Sequence, residues 1–215
     1  MKENVKWIFS IVIQIWSYLY SYEVSIWIQQ QLNSLYTMWI RNYFEEIGKG
    51  TRFRRPIRLE GGSRKIHIGA NTLFNSFCVL GCWRHFGADT FDPEIFIGDN
   101  CNFGEFSQIT AINKITIGDG LLTGRFVYIG DNAHGGLSWE EAGISPSQRH
   151  LKSKGEIRIG NNVWIGDRVT ILGGVTIGDD VIIGANSVVT HDVLSNSLVV
   201  GSPAKVVKTL HAIED

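Results

Sequence analysis

The sequence has almost no excess charge and few cysteines. Its 20 Lys and Arg side chains are balanced by 21 Asp and Glu, for a net charge of −1. Composition therefore gives no broad electrostatic argument for binding nucleic acid. Cys78, Cys82 and Cys101 are an odd number without a metal-type CxxC pair, which predicts a reducing cytosol rather than a disulfide framework. We interpret Cys78 and Cys101 as small core residues.

The sequence also lacks a recognisable leader or membrane-crossing segment. The apolar start, residues 6–20, has no small-residue cleavage site. It is also too short and too interrupted for a span of about 20 residues. We therefore expect a cytoplasmic protein, with peripheral contact at the inner face of the membrane left open.

Residues 1–47 place apolar and aromatic side chains at helical spacing, which predicts two helices or one bent helix. This segment either packs on the rest of the protein or a neighbouring subunit, or lies at a membrane surface with Trp and Tyr at headgroup depth. Residues 48–66 are rich in Lys and Arg. They are either a solvated surface or a contact for an anionic membrane or acidic glycan.

What is abundant is a six-residue repeat over residues 157–190. An aliphatic residue opens each hexad, Gly commonly follows, and corners rich in Asn, Asp and Gly lie between, at 161–162, 167–168, 173–174, 179–180 and 185–186. Apolar residues recur every three or four residues in a helix and every two in an ordinary strand. A period of six therefore predicts short strands joined by sharp corners. Three strands make one triangular coil, and coils stack at about 4.8 Å. The opening residues, which should form a column of core, are Ile159, Ile165, Ile171, Ile177, Ile183 and Val189.

The repeat is interrupted twice. Coils are expected from near Ile57, with loops at 81–93 and 134–156. Loops this long in a compact fold are usually functional or disordered. We therefore divide the chain into a helical segment, 1–47, and a β-helix domain, 48–210.

Three stretches, 162–176, 177–192 and 200–208, resemble the hexapeptide-repeat acyltransferases, and most closely the galactoside/maltose-type and polysaccharide O-acetyltransferases. The resemblance covers about residues 45–210. It implies an all-β fold, a left-handed parallel β-helix, with the N-terminal helical segment in front and a short C-terminal helix behind. It also implies a homotrimer with each site between adjacent β-helices, and acetyl-CoA as the acyl donor, with no metal expected.

His134 is the predicted catalytic residue. It lies where a perfect hexad, IGDNAH, gives way to the second long loop. In the resembling acetyltransferases a His at this position is the general base. Moving an acetyl group from a thioester to a sugar hydroxyl requires removal of a proton from a very weak acid, which an imidazole does well near neutral pH. Asp131 or a backbone carbonyl could orient the ring.

The remaining site residues follow from the same resemblance. Trp164, in the WIG motif, would line the channel beside the reacting groups, and Gly166, Gly184 and Ala185 would allow the extended pantetheine to approach the backbone closely. Lys205 and Lys208, one helical face apart, would meet nucleotide phosphates. The family usually has Lys at the place of His191. Further cofactor contacts are Asp167, Thr190 and His191; candidate acceptor or oxyanion residues are Asn102, Glu105 and Ser107.

The sequence thus predicts an acetyl-CoA-dependent O-acetyltransferase that acts on a hydroxyl of a sugar or surface polysaccharide. An amine of a sugar nucleotide, or the hydroxyl of serine, is an alternative acceptor. A γ-type carbonic anhydrase would need three His around zinc from adjacent coils, a spacing that the His residues do not show. A non-catalytic scaffold is the fourth alternative, and it predicts no binding of CoA.

Overall fold

Each hexad folds as a short strand followed by a corner, and the chain visits three flat faces, A, B and C, in rotation. The computed structural model describes residues 2–210. Face A contains β1 (Glu46–Ile47), β4 (Ile66–Ile68), β9 (Glu94–Ile97), β12 (Lys114–Ile117), β17 (Ile157–Ile159) and β20 (Thr176–Ile177). Face B contains β2 (Arg52–Phe53), β5 (Leu73–Phe74), β10 (Asn102–Phe103), β13 (Leu122–Thr123), β18 (Trp164–Ile165), β21 (Ile182–Ile183), β23 (Ser197–Val200) and β24 (Lys205–Thr209). Face C contains β3 (Arg58–Glu60), β6 (Val79–Cys82), β11 (Gln108–Ala111), β14 (Tyr128–Gly130), β19 (Thr170–Leu172) and β22 (Val188–Val189).

Successive strands of each face pair in parallel, except β24, which returns antiparallel to β23. The result is a left-handed parallel β-helix with helices before it, as the resemblance implies. The predicted column of core is confirmed, because all six opening aliphatic residues are at most 3% exposed. Towards the N-terminal end the column becomes aromatic, with Phe53, Phe74 and Phe103 stacked at 4.9 and 4.6 Å between ring centroids.

Four of the five predicted corners carry Asn, Asp or Gly where the backbone has positive φ, and Arg168 is the exception. In each predicted corner the second residue has positive φ, a conformation that Asn, Asp and Gly adopt at least cost. Where the first corner residue is Asn or Asp, as at Asn161, Asp167 and Asp179, its side chain accepts a hydrogen bond from a backbone N–H of the coil before it. The residues with positive φ are Asn162, Arg168, Gly174, Asp180 and Asn186.

The three cysteines lie inside the prism, each at most 1% exposed and none in a disulfide. Burial raises the pKa of Cys78 and of Cys82 to about 12. A thiol with so high a pKa is a poor nucleophile at neutral pH. The interpretation of Cys78 and Cys101 as core residues is confirmed, and Cys82 is a core residue as well.

Two helices precede the prism: α1 (Lys2–Leu19) and α2 (Tyr22–Ile40), followed by a 3-10 turn at Arg41–Tyr43. Ser21 caps α2 by accepting from the backbone N–H of Val24 at 3.3 Å. No helix of residues 2–210 is both long enough and apolar enough to be a candidate membrane span.

α2 covers the open edge of the first coil. The Thr37 hydroxyl accepts from the backbone N–H of Phe53 at 3.0 Å, and Asn33 accepts from that of Arg55 at 3.1 Å. The Tyr36 hydroxyl accepts from the N–H of Ile57 at 3.2 Å. An uncovered edge would expose a row of unpaired backbone groups, so α2 completes the N-terminal end of the prism.

Two expectations about the ends of the prism need correction. The first coil begins at Glu46 in β1, before Ile57 and inside the segment assigned to helix. The expected short C-terminal helix is wrong, because Lys205–Thr209 is a strand. Its pairing with β23 covers the last coil of face B, and the alternating Val and Lys residues suit a strand better than a helix. Residues 211–215 lie outside the described residues.

Candidate functional site

Both interruptions of the repeat leave the prism at the corner between faces C and A. The first follows β6 and contains a hairpin of β7 (His85–Phe86) and β8 (Asp89–Thr90). The second follows β14 and contains an antiparallel ribbon of β15 (Asn132–His134) and β16 (Leu151–Ser153), with 3-10 turns at Trp139–Glu141 and Pro146–Gln148 between them. Since β6 and β14 are separated on face C only by β11, the two excursions extend over the same part of the surface.

The excursions contact each other directly. The Phe86 ring meets the His134 ring edge-on, with centroids 5.0 Å apart and planes at 67°. The His150 Nδ1 lies 2.7 Å from the Asp89 carboxylate. Neither contact could be anticipated from sequence neighbours, since the residues are 48 and 61 positions apart.

His134 ends β15, opposite Leu151, and its side chain is exposed. Among residues 2–210, no protein group hydrogen-bonds its ring. One wall of the open cavity beside it is the outer surface of face C, and the others are the hairpin and the ribbon. The cavity measures about 290 Å³ and is lined by Glu60, Trp83, Phe86, Gln108, Thr110, Tyr128, Asn132, Ala133, His134 and Leu151.

The ribbon that carries His134 is tied down by Glu141. Its carboxylate accepts from the backbone N–H of Gly136 and forms an ion pair with Lys152 at 2.5 Å. The Lys152 ammonium, then the Gly136 amide, lower the pKa of Glu141. Gly136 follows β15 and Lys152 lies in β16, so this one carboxylate links both strands of the ribbon to the turn at Trp139–Glu141.

Asp131 does not orient His134. It is 1% exposed, and its two carboxylate oxygens accept the backbone N–H groups of Ile112 and Asn113 at 2.8 and 2.9 Å. Burial raises its pKa, against the opposing effect of those two hydrogen bonds. The carboxylate therefore fastens the corner from which the ribbon departs.

The predicted donor contacts divide between two places. Trp164 is 52% exposed and lies on the outer surface of face B, in one column with Ile182, Leu198 and Lys208. A register shift in β24 sets Lys205 opposite Val200, so that both lysines point outward from face B. That shift, and not a helical repeat, brings Lys205 and Lys208 to one side.

Four other donor candidates lie at the corner between faces B and C. Ala185 is exposed there, and the Asp167 side chain accepts from the backbone N–H of Arg125 at 2.8 Å. A Cβ added to Gly166 would lie 2.6 Å from the backbone N of Ala185, and one added to Gly184 would lie 2.7 Å from Val200 Cγ1. The stacking of neighbouring coils therefore accounts for both glycines, without a bound molecule.

Thr190 and His191 follow β22 at the corner between faces C and A, and the Thr190 hydroxyl lies 2.8 Å from His191 Nδ1. They share that corner with His134, several coils away. Within one protomer, the structure thus sets His134 at the corner between faces C and A, Trp164 on face B, and Asp167 and Ala185 at the corner between faces B and C.

The three acceptor candidates have different surroundings. Asn102 is half-buried on face B and accepts from Asn75 Nδ2 at 3.1 Å. Glu105 lies at the corner between faces B and C, paired with Arg125 at 3.5 Å. Ser107 is 2% exposed, with its hydroxyl directed at the Gly124 carbonyl inside the prism. Its assignment to acceptor binding is wrong, because it occupies an inward position of the repeat.

Sequence reasoning missed the residues that surround His134. Glu60, Thr110 and Tyr128 belong to the outer surface of face C, and Phe86 lies in the loop expected at 81–93, where no site residue was predicted. The repeat itself was the available signal. When it is continued through β6, β11 and β14, it aligns Gly81, Thr110 and Gly130, so the two loops leave the prism from neighbouring positions on face C. Within residues 2–210 no three His, Cys, Asp or Glu side chains are grouped to hold a metal ion.

Comparison with known proteins agrees with this architecture. The model of the bacterial transferase hexapeptide (six repeats) matches residues 156–191. A relative provisionally named a lipopolysaccharide biosynthesis O-acetyl transferase, from Escherichia coli K12, is 37% identical over 118 residues, 53% of this chain and 60% of its own. The chain spans 60–62% of the length of the first curated relatives that it matches.

Two solved structures share the fold. A maltose O-acetyltransferase from Clostridium difficile 630 has a TM-score of 0.53 at 29% identity, over 80% of this chain and 73% of its own. A hexapeptide-repeat-containing acetyltransferase from Vibrio cholerae, solved with acetyl coenzyme A, has a TM-score of 0.54 at 25% identity, over 89% of this chain and 91% of its own. The fold defines the class of this protein as a left-handed parallel β-helix, with a cavity at one of its corners. Residues 156–191 match that transferase repeat, and the chain is similar to acetyltransferases that contain it.

Proposed function

We propose that this protein is an acetyl-CoA-dependent O-acetyltransferase that acts on a hydroxyl of a sugar or surface polysaccharide. The observation that carries the proposal is His134: an exposed imidazole at the rim of a cavity of about 290 Å³, next to a flat β-helix face. The names of the O-acetyltransferase relatives and the acetyl-CoA complex of the Vibrio cholerae protein support the reaction class and the donor.

His134 acts as the general base. It takes the proton of the acceptor hydroxyl as the oxygen attacks the thioester carbonyl, and it returns that proton to the CoA sulfur as the carbon–sulfur bond breaks. Protons and electrons balance without a covalent enzyme intermediate. Phe86 holds the ring from one side, while Tyr128 and Gln108 offer polar groups to the sugar from the floor of the cavity.

The donor binds along face B and its corner with face C. Trp164 walls the channel, the exposed Ala185 lets the pantetheine lie against the backbone, and Lys205 and Lys208 reach the nucleotide phosphates as point charges. These groups suit an extended chain of amides ending in phosphates. Because they lie at another corner from His134 of the same protomer, the donor of one subunit meets His134 of the next in a homotrimer.

The first test is His134→Ala. We expect kcat for acetyl transfer to fall roughly 100- to 10,000-fold, the range for loss of a general base, with an unchanged thermal transition. His67→Ala is the control, because His67 stacks on Phe96 on face A and does not line the cavity. Near wild-type transfer by a folded His134→Ala protein would refute the assignment.

The second test concerns the site between copies. His134→Ala and Trp164→Ala chains, each nearly inactive alone, are unfolded, mixed in equal amounts and reassembled. If His134 and Trp164 come from different subunits, about a quarter of the sites in random mixtures regain both residues, and transfer activity returns accordingly. If both residues of a site come from one chain, mixing restores nothing.

The alternative acceptors are separated by the bond formed. Acceptors with a sugar hydroxyl, an amino-sugar nucleotide or serine are compared by acceptor-dependent release of CoA. An ester product is cleaved by mild alkali whereas an amide survives, so the product distinguishes O- from N-transfer. If none of these acceptors causes release of CoA, and calorimetry detects no binding of CoA, the non-catalytic scaffold is favoured.

A further inference from the structure

The N-terminal helix α1 has an extensive surface that nothing in the protein covers. Of its described side chains, residues 5–18, all are exposed except the half-buried Ile11. Trp7, Phe9, Ile13 and Tyr18 are each more than 60% exposed. An exposed apolar surface of this extent is a contact site for another molecule, since isolated apolar side chains are common but continuous ones are not.

The surface of α1 is amphipathic in a particular way. Lys6, Ser10, Gln14 and Ser17 follow one another at steps of four, four and three residues, which places them in one narrow stripe along the helix. The other described positions, apart from those stripe residues, are apolar or aromatic. A helix that presents a broad apolar face and a narrow polar stripe is suited to lie in a membrane interface, with the stripe towards water.

The outer side of α2 continues this surface. Its inner side holds the first coil through Asn33, Tyr36 and Thr37, so the opposite side faces away from the prism. That outer side exposes Trp27 (60%), Leu35 (61%), Met38 (70%) and Trp39 (63%). Residues 7–43 contain four of the seven Trp and five of the six Tyr of the chain, the two residue types that concentrate at headgroup depth.

Positive charge lies beside α2 on the same end of the prism. Arg52, Arg54 and Arg55 are exposed on the first coil, and Arg54 lines the clefts between that coil and the Gln30 and Asn33 positions of α2. In the part of the chain that the structure describes, none of these three arginines forms an ion pair. Basic side chains next to an apolar helical surface match a surface of lipid phosphates, each contributing about a fivefold gain in affinity at an anionic bilayer.

We propose that α1 and the outer side of α2 dock this protein on an anionic lipid bilayer, with Arg52, Arg54 and Arg55 against the headgroup phosphates. The prism then stands on its N-terminal end, and Glu60, in the first coil, is the cavity-lining residue on face C nearest to that end. The proposal does not depend on the reaction that the protein catalyses.

The test is co-sedimentation of the full chain with vesicles of phosphatidylcholine alone and of phosphatidylcholine with phosphatidylglycerol. Two double variants of α1 are compared, Ile8→Asp/Ile15→Asp and Ser10→Asp/Ser17→Asp. Both pairs are seven residues apart, exposed and given the same added charge, but only the first pair lies on the apolar face. Because α1 covers no part of the core, neither variant should change the thermal transition of the prism.

Wild-type protein should bind the anionic vesicles. Ile8→Asp/Ile15→Asp should weaken that binding at least about 100-fold, because two isoleucine side chains no longer enter the bilayer. Ser10→Asp/Ser17→Asp should weaken it less than about tenfold. Replacing Arg52, Arg54 and Arg55 by Gln should remove the preference for anionic over neutral vesicles. Wild-type protein that stays in solution with anionic vesicles would overturn the proposal. So would equal binding by the two α1 variants, or a loss of subunit association without a loss of vesicle binding, which would assign this surface to a second copy.

Discussion

The corner between faces A and B and the corner between faces C and A have the same place in the repeat but opposite uses. At the first, the Asp or Asn that follows the corner Gly joins one coil to the coil before it. Asp119 accepts from the backbone N–H of Asp99 at 2.8 Å, Asn161 from that of Asp119 at 2.9 Å, and Asp179 from that of Asn161 at 2.6 Å. At the second, the chain leaves twice, and it exposes His134 and a cavity. The comparison indicates that regular corners hold the prism together and that interrupted ones leave side chains free for chemistry.

The largest expected effect breaks the regular corner. In Gly98→Ala the new Cβ would lie 2.7 Å from the Gly118 carbonyl carbon, which the next coil fixes in place. We expect the free energy of unfolding to fall by about 3 kcal/mol or more, since backbone cannot move aside. Chemical denaturation measures the change.

Gly136→Ala is the matched substitution in the excursion. Its Cβ would have no neighbour nearer than Glu141 Oε2 at 3.8 Å, and Gly136 is not among the residues of positive φ. The free energy of unfolding should change by less than about 0.5 kcal/mol, as at tolerant surface positions. Equal destabilisation by the two substitutions would contradict the division between structural and free corners.

A smaller effect concerns how the excursion is held. Glu141→Gln keeps the shape of the side chain but removes the charge that pairs with Lys152, so the ribbon around His134 should open more often. The expected result is faster amide hydrogen exchange in residues 134–152 and a lower kcat/KM, with an unchanged global transition. Glu140→Gln is the control, because it alters the neighbouring charge without touching the Lys152 hydrogen bond.

The same contact predicts a pH dependence. The pKa of Glu141 is lowered in the folded protein, so its contribution is fully present above the ordinary carboxyl pKa of 4.5 and is lost as pH falls through the lowered value. The protection of the ribbon amides, after correction for the intrinsic exchange rate at each pH, should therefore fall on acidification below that range in the wild type, and this loss of protection is the acceleration expected. Glu141→Gln should show no such acceleration; if both respond alike, another group controls the ribbon.

Prediction from sequence succeeded where one position in six sets the structure. The column from Ile159 to Val189 and the positive-φ corners follow from local rules, and both are observed. It failed at the C-terminus, where Lys205–Thr209 pairs with β23 although its lysine spacing also fits a helix. It failed at Ser107 because the repeat in that coil is irregular, so the inward register was not recognised.

The neighbours of His134 could not be predicted, because they come from a hairpin more than 40 residues earlier and from the outer surface of face C. Likewise, the engagement of Asp131 with Ile112 and Asn113 depends on how the coils stack. Each of these contacts joins residues distant in sequence whose meeting is fixed by a shared corner.

The sequence by itself determined the prism, the order of its corners and the point at which His134 leaves it, because a hexad repeat prescribes strand, corner and inward residue locally. The tertiary structure decided what surrounds that imidazole and where the donor contacts lie relative to it. It also decided that α2, rather than a further strand, covers the first coil. These outcomes depend on contacts between coils and excursions far apart along the chain, and their geometry is set by stacking rather than by any local pattern.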